Sequence, residues 1–104
     1  MSTTRHLVYF EKWSDPVAGE MLATQPDLAI HRLAFDAPAA DNWAWLTRAH
    51  GYQISGRSEL RDPWFADPAL LARCPDLLAV SSLGAGFDMI DVAACTAAGV
   101  IVVN

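Results

Sequence analysis

Leu77-Leu78-Ala79-Val80-Ser81-Ser82-Leu83-Gly84-Ala85-Gly86-Phe87-Asp88-Met89-Ile90-Asp91, continued by Val92-Ala93-Ala94-Cys95-Thr96-Ala97-Ala98-Gly99-Val100-Ile101-Val102-Val103-Asn104, is the stretch that decides the fold. Residues 77–81 form a short apolar run that reads as a strand. Gly84 and Gly86 mark a turn. Asp91 is a good N-cap for an alanine-rich helix over 92–98, and Gly99 is a good residue to end it. Residues 100–103 then read as another strand. Two strands joined through a helix need a crossover, so they run parallel.

The same device recurs toward the N-terminus. Residues 7–10 are rich in strand formers. Asp15-Pro16 then pairs an N-cap with a proline suited to the first helical position, predicting a helix to about Ala23. Residues 28–35 read as a second strand, and residues 36–39 as a turn. Asp41 is expected to cap a helix through about His50, with Gly51 as its stop. Residues 52–55 form a weaker third strand, and residues 56–66 read as a loop. Asp67-Pro68 repeats the cap-and-proline pair before a helix that closes at Pro75. The order βαβαβαβαβ implies an α/β fold, a doubly wound parallel five-stranded sheet, flavodoxin-like with strand order 2-1-3-4-5.

Composition agrees with one small packed domain. The chain has 104 residues, 53% hydrophobic and 18% charged, which excludes a disordered chain. The net charge of -5 lacks any offsetting basic cluster, so no nucleic-acid partner is expected. The N-terminal apolar run is too short for a signal peptide or membrane span, so no membrane association is expected either. Cys74 and Cys95 have no metal-ligand spacing to another Cys or His, which fits inert core thiols in a reducing, cytoplasmic setting. No metal site is expected.

In a sheet of this kind ligands sit beyond the carboxyl ends of the strands. Gly84-Ala85-Gly86 stands out there, because glycines let backbone N–H groups approach an anion unhindered. Three readings stay open on local features. It is a carboxylate or phosphate site, a ligand-free turn, or the start of a dinucleotide loop. The last is disfavoured by Met89, which stands where the third glycine of G-x-G-x-x-G belongs.

The opening stretch resembles the D-isomer-specific 2-hydroxyacid dehydrogenases. Their pattern runs strand, G-x-G-x-D, I-D, alanine-rich helix, then G-[IV]-x-V-x-N. Gly84, Gly86, Asp88, Ile90, Asp91, Gly99, Val100, Val102 and Asn104 fall on it. The helix before Pro75 fits the family layout, whereas the first 65 residues agree in element order alone. The resemblance implies that residues 1–104 are the N-terminal segment of a substrate-binding domain. The complete protein would be an NAD(P)-dependent oxidoreductase acting on 2-hydroxy or 2-oxo acids. It implies a small carboxylate held by the backbone amides of Ala85 and Gly86, with Gly84 shaping the turn. Arg57 and Ser58, after strand three, would face the same cleft. NAD or NADP would be bound mainly by a following nucleotide domain, which would also supply the catalytic Arg, Glu and His. This segment would therefore hold no catalytic and no cofactor-binding residue, and would be inactive alone. A homodimer is implied for the full-length protein. So is a C-terminal helix returning onto this domain, without which an apolar patch would be exposed.

The alternative is a non-catalytic, dehydrogenase-like partner-binding domain. A phospho-receiver would need an Asp after strand three, where Ser55-Gly56 stands. An FMN-binding domain would need a hydroxyl- and glycine-rich loop after strand one, and Glu11-Lys12-Trp13-Ser14 is not one. His6, His31 and His50 read as structural or solvated, with His50 expected at a helix C-terminus, where the dipole favours its positive charge. Trp43 and Trp45 are two apart and so face differently from their helix. One is expected in the core and the other against a neighbouring domain. Trp13, Trp64 and Phe65 read as lining a cleft or a subunit contact, or as buried loop anchors. Asp88 and Asp91 read as caps for the helix start.

Overall fold

A computed structural model describes residues 4–10, 24, 26–55, 63–83 and 90–103. The expected helix after Asp15, together with Trp13 and Asp88, lies outside the described residues. The five strands are β1 (Arg5–Phe10), β2 (Leu28–Leu33), β3 (Gly51–Ser55), β4 (Ala79–Leu83) and β5 (Ile101–Val103). The helices among the described residues are α1 (Ala39–Leu46), α2 (Pro68–Arg73) and α3 (Val92–Ala97). The sheet is wholly parallel in the order β2-β1-β3-β4-β5, as the alternation of elements predicts.

Parallel register puts Val8, Tyr52, Val80 and Val102 side by side across the sheet. These residues face the three helices. Val8, Phe10, Leu33, Tyr52, Ile54 and Val80 are buried against Leu46 of α1, Leu70 and Leu71 of α2 and Cys95 of α3. Side chains alternate across a strand, so Leu7, Tyr9, Gln53 and Ser81 point to the other face, where they are half-buried. At β5 that face carries Ile101 and Val103, 66% and 49% exposed.

Two of the aspartate caps form as expected. The Asp67 carboxylate accepts from the Leu70 amide at 2.9 Å, with Pro68 next in line. The Asp91 carboxylate accepts from the Ala94 amide at 2.9 Å. Gly99 ends α3 with φ 78°, the left-handed conformation glycine tolerates. Asp41 is a correction. The N-cap of α1 is Pro38, with no side-chain cap bond, and Asp41 sits inside the first turn. There it still complements the positive end of the helix. Gly51 is a second correction. It opens β3 rather than closing α1, whose C-cap is Thr47. A Cβ on Gly51 would lie 2.8 Å from Leu7 Cδ1, so glycine there allows β1 and its neighbour to pack closely. β4 starts two residues later than the apolar run. Leu77 is buried as a loop anchor and Leu78 is 51% exposed.

Candidate functional site

The carboxyl ends of the strands define the edge where a ligand would sit. Ser55 and Leu83, the last residues of β3 and β4, are register partners. Segments 56–62 and 84–89 thus each follow one of two paired strand ends. The chain is paired again after them. Ala66 and Ile90 form a parallel bridge, and the Asp91 amide donates to the Ala66 carbonyl at 2.8 Å. The substrate-contact residues expected from sequence fall in these two segments: Arg57 and Ser58 in the first, Gly84, Ala85 and Gly86 in the second. All five lie outside the described residues. The structure thus describes what frames the expected site.

That frame is aromatic. Phe10, at the end of β1, stacks on Phe35 at 4.8 Å between ring centres and tilts against Trp64 at 5.1 Å. Trp64 meets Trp43 of α1 at 4.8 Å, and the Arg73 guanidinium lies 3.6 Å from the Trp43 ring centre. Trp64 is only 5% exposed, which makes it a buried loop anchor rather than a cleft lining. Beneath it, the Tyr52 hydroxyl donates to the Trp64 carbonyl at 2.7 Å. Burial pushes the Tyr52 phenol well above its usual range, so it remains a donor. Asn42, buried in α1, donates through Nδ2 to the Ala34 carbonyl at 2.8 Å and fixes the chain just after β2. Nothing in the sequence pattern singles out Tyr52 or Asn42. Each is a polar residue inside an otherwise apolar stripe, and that anomaly is the signal available.

The histidines gather near the opposite edge. His6 Nδ1 lies 3.1 Å from His31 Nε2, and the His6 backbone N–H donates to His50 Nδ1 at 2.9 Å. The His6 ring stacks on both His31 and His50, at 5.3 and 5.8 Å. Trp45 stacks on His31 at 3.8 Å and carries Arg48 over its ring. Trp43 and Trp45 thus diverge as the helical spacing demands, and Trp45 packs on histidines of this same domain. His50 corrects the expectation of a dipole-favoured positive charge. It lies four residues beyond the end of α1, and its pKa is lowered by burial, then by Arg5 and His6, with Asp76 opposing. The His31 pKa is lowered by burial, then by His6 and Arg48. All three rings sit away from the carboxyl edge, in keeping with a structural role.

The cysteines are core thiols. Burial pushes Cys74 up to about 11, and Cys95 also upward, which removes nucleophilic thiolate at neutral pH. No group of three or more His, Cys, Asp or Glu among the described residues could hold a metal ion. No helix among them is long and apolar enough to cross a membrane.

Comparison with known proteins agrees with this geometry. The family described as D-isomer specific 2-hydroxyacid dehydrogenase, catalytic domain, matches residues 16–104. Among solved structures, a 2-hydroxyacid dehydrogenase from Ketogulonicigenium vulgare Y25 is 27% identical, with a TM-score of 0.68, over 98% of this chain and 30% of that one. A glyoxylate reductase from Paecilomyes thermophila is 19% identical, with a TM-score of 0.69, over 95% of this chain and 31% of that one. The NAD+-bound 3-phosphoglycerate dehydrogenase of Entamoeba histolytica is 16% identical, with a TM-score of 0.70, over 95% of this chain and 32% of that one. The last two likenesses bear on the fold alone. No curated protein sequence is similar enough to match. The chain spans about a third of the length of these structural relatives. With the family's motif running through 84–104 and the family's sheet carrying it, this chain belongs to the D-isomer-specific 2-hydroxyacid dehydrogenases, within their catalytic domain.

Proposed function

We propose that residues 1–104 act as the substrate side of an NAD(P)-dependent oxidoreductase for small 2-hydroxy or 2-oxo acids. The observation that carries this reading is the pairing of the chain on either side of the two candidate segments, Ser55 with Leu83 before them and Ala66 with Ile90 after them. In this reading the Ala85 and Gly86 amides bind the substrate carboxylate, Gly84 shapes the turn, and Arg57 and Ser58 face the same cleft. Backbone amides suit this task because their charge-assisted bonds to a carboxylate do not depend on a titrating side chain.

The described residues offer no His at the carboxyl edge to move a proton, and the described Arg73 is engaged with Trp43. The nicotinamide cofactor, which accepts or donates a hydride when bound, belongs in this proposal to a further domain of a longer protein. The general acid and base belong there as well. A homodimer and a cytoplasmic location complete the proposal.

Steady-state assays test it. The full-length protein is expected to turn over glyoxylate, hydroxypyruvate or a related 2-oxo acid with NADH or NADPH, and residues 1–104 alone are expected to be inactive. Turnover by residues 1–104 alone overturns the division of labour. Absence of turnover by the full-length protein across the short 2-oxo acids favours the partner-binding alternative.

A further inference from the structure

We propose that His50 is an acid-released latch, whose imidazole closes the amino-end seam of β1, β3 and β4 only while its Nδ1 carries no proton.

The seam is built around this one residue. The His50 amide donates to the His6 carbonyl at 2.8 Å, and the His50 carbonyl accepts from the Leu78 and Ala79 amides at 2.8 and 3.3 Å. His50 thus ties the start of β1 to the chain entering β4, one residue before β3 begins. Its ring adds a further bond. Successive amides of a strand point to opposite neighbours. The Arg5 amide donates toward β2, to the Asp27 carbonyl, so the His6 amide faces the β3 side. The β1–β3 ladder starts only at Leu7 with Gly51. His50 Nδ1 stands in for the ladder carbonyl and accepts the His6 amide at 2.9 Å.

That bond dictates the state of the ring. A backbone N–H can only donate, so Nδ1 presents its lone pair and the neutral ring carries its proton on Nε2. The next proton can go only to Nδ1, where it sets two donors face to face. The neighbouring pair behaves differently. His6 Nδ1 and His31 Nε2, 3.1 Å apart, share one proton and can take another on an outer nitrogen without parting. Among the described residues, burial opposes charge on the His50 ring most, followed by Arg5 and His6 on β1, while Asp76 ahead of β4 favours it. Arg48 acts on His31 instead. The latch is therefore closed above 6.5, the ordinary histidine value, and is released as pH drops through it toward the lower folded value.

Histidine nitrogen shifts and amide hydrogen exchange of the whole protein, corrected for the intrinsic effect of pH on exchange, read the latch between pH 7.5 and 5. At pH 7.5 His50 is expected as the Nε2–H tautomer. On acidification, protection at His6, His50, Leu78 and Ala79 is expected to fall together by about tenfold, the scale of one lost hydrogen bond, while α2 and α3 stay protected. His50→Asn offers Oδ1 where Nδ1 stood and cannot titrate, so its seam is expected to stay closed across the range. His31→Gln leaves the latch in place, and its seam is expected to open in acid as in the wild type. An Nδ1–H tautomer at pH 7.5, or acid opening that persists unchanged in His50→Asn, overturns the proposal. Loss of the acid opening in His31→Gln would move the sensor to the His6–His31 pair and overturn it equally.

Discussion

The two ends of this sheet are built from different chemistry. At the carboxyl end, Phe10, Phe35, Trp43 and Trp64 interlock, and the Tyr52 hydroxyl beside them donates to the Trp64 backbone carbonyl. Toward the amino end, His6, His31 and His50 stack on one another and on Trp45, half-buried, with two facing ring nitrogens 3.1 Å apart. Aromatic packing is indifferent to pH and resists displacement. A histidine cluster is held by shared protons and loosens when more protons arrive. The rigid end is the one that frames the candidate site, and the titratable end is the one away from it. The proposed reading of a carboxylate through backbone amides calls for such a frame, since main-chain donors are held in place only by what packs around them.

This contrast predicts unequal responses to mutation. Trp64→Ala should be the most damaging, at about 3–5 kcal/mol of stability, the usual cost of emptying a large aromatic site in a core. Trp45→Ala, which removes a half-buried ring from the histidine end, should cost less than half as much. Urea denaturation of both variants measures the ratio, and equal losses would remove the distinction between the two ends.

Next in size is Gly86→Val in the full-length protein. A branched side chain beside the proposed amides should remove one or two charge-assisted bonds of about 1.5–3 kcal/mol each, weakening carboxylate binding tenfold to several thousandfold. NAD(H) affinity should barely change, and Ala85→Ser should be mild. Parallel titrations with a carboxylate inhibitor and with NAD(H) separate the outcomes. Loss of cofactor binding with carboxylate binding kept would make the glycine turn a nucleotide loop.

Much of this was legible in the sequence, and the residues show why. Asp67-Pro68 and Asp91 announce their helices because a short side chain that reaches an N-terminal amide works through local geometry alone. The strand order follows from the alternation of strands and helices. The boundary at Gly51 was not legible, since a glycine after a helix reads as a stop, and its actual neighbour, Leu7, is 44 positions away in the chain. The same holds for Tyr52 with Trp64 and for the histidine cluster, whose members come together only when β1 pairs with both β2 and β3. Arg57, Ser58 and the Gly84–Gly86 turn remain expectations from resemblance and topology, and they lie outside the described residues.

A smaller effect is expected from Asp91→Ala. Loss of the cap should cost about 1 kcal/mol, read as a drop in the urea midpoint. The Asp91 amide, which donates to Ala66, is retained, so the bridge to Ile90 should survive. Asp67→Ala should cost about the same, and a much larger loss at either position would mean the caps do more than end their helices.

The smallest effect concerns pH. The folded pKa values of His31 and His50 lie below their ordinary value of 6.5, so the unfolded chain takes up protons first as pH falls. Their contribution to stability is fully present above 6.5 and is lost as pH drops through 6.5 toward the folded values. Melting temperature measured from pH 7.5 to 5 should therefore fall, and His31→Gln should flatten part of that slope. An unchanged slope would mean that His31 does not report on the fold.

The central claim is that ligand chemistry belongs to the carboxyl edge and that the histidine end only holds the sheet together. Amide chemical shifts of the 104-residue chain, followed during titration with glyoxylate at pH 7, test it directly. The account predicts movement centred on Ala85 and Gly86, with Arg57 and Ser58 following and with His6, His31 and His50 unmoved. Shifts centred on the three histidines, with 84–86 silent, would contradict it.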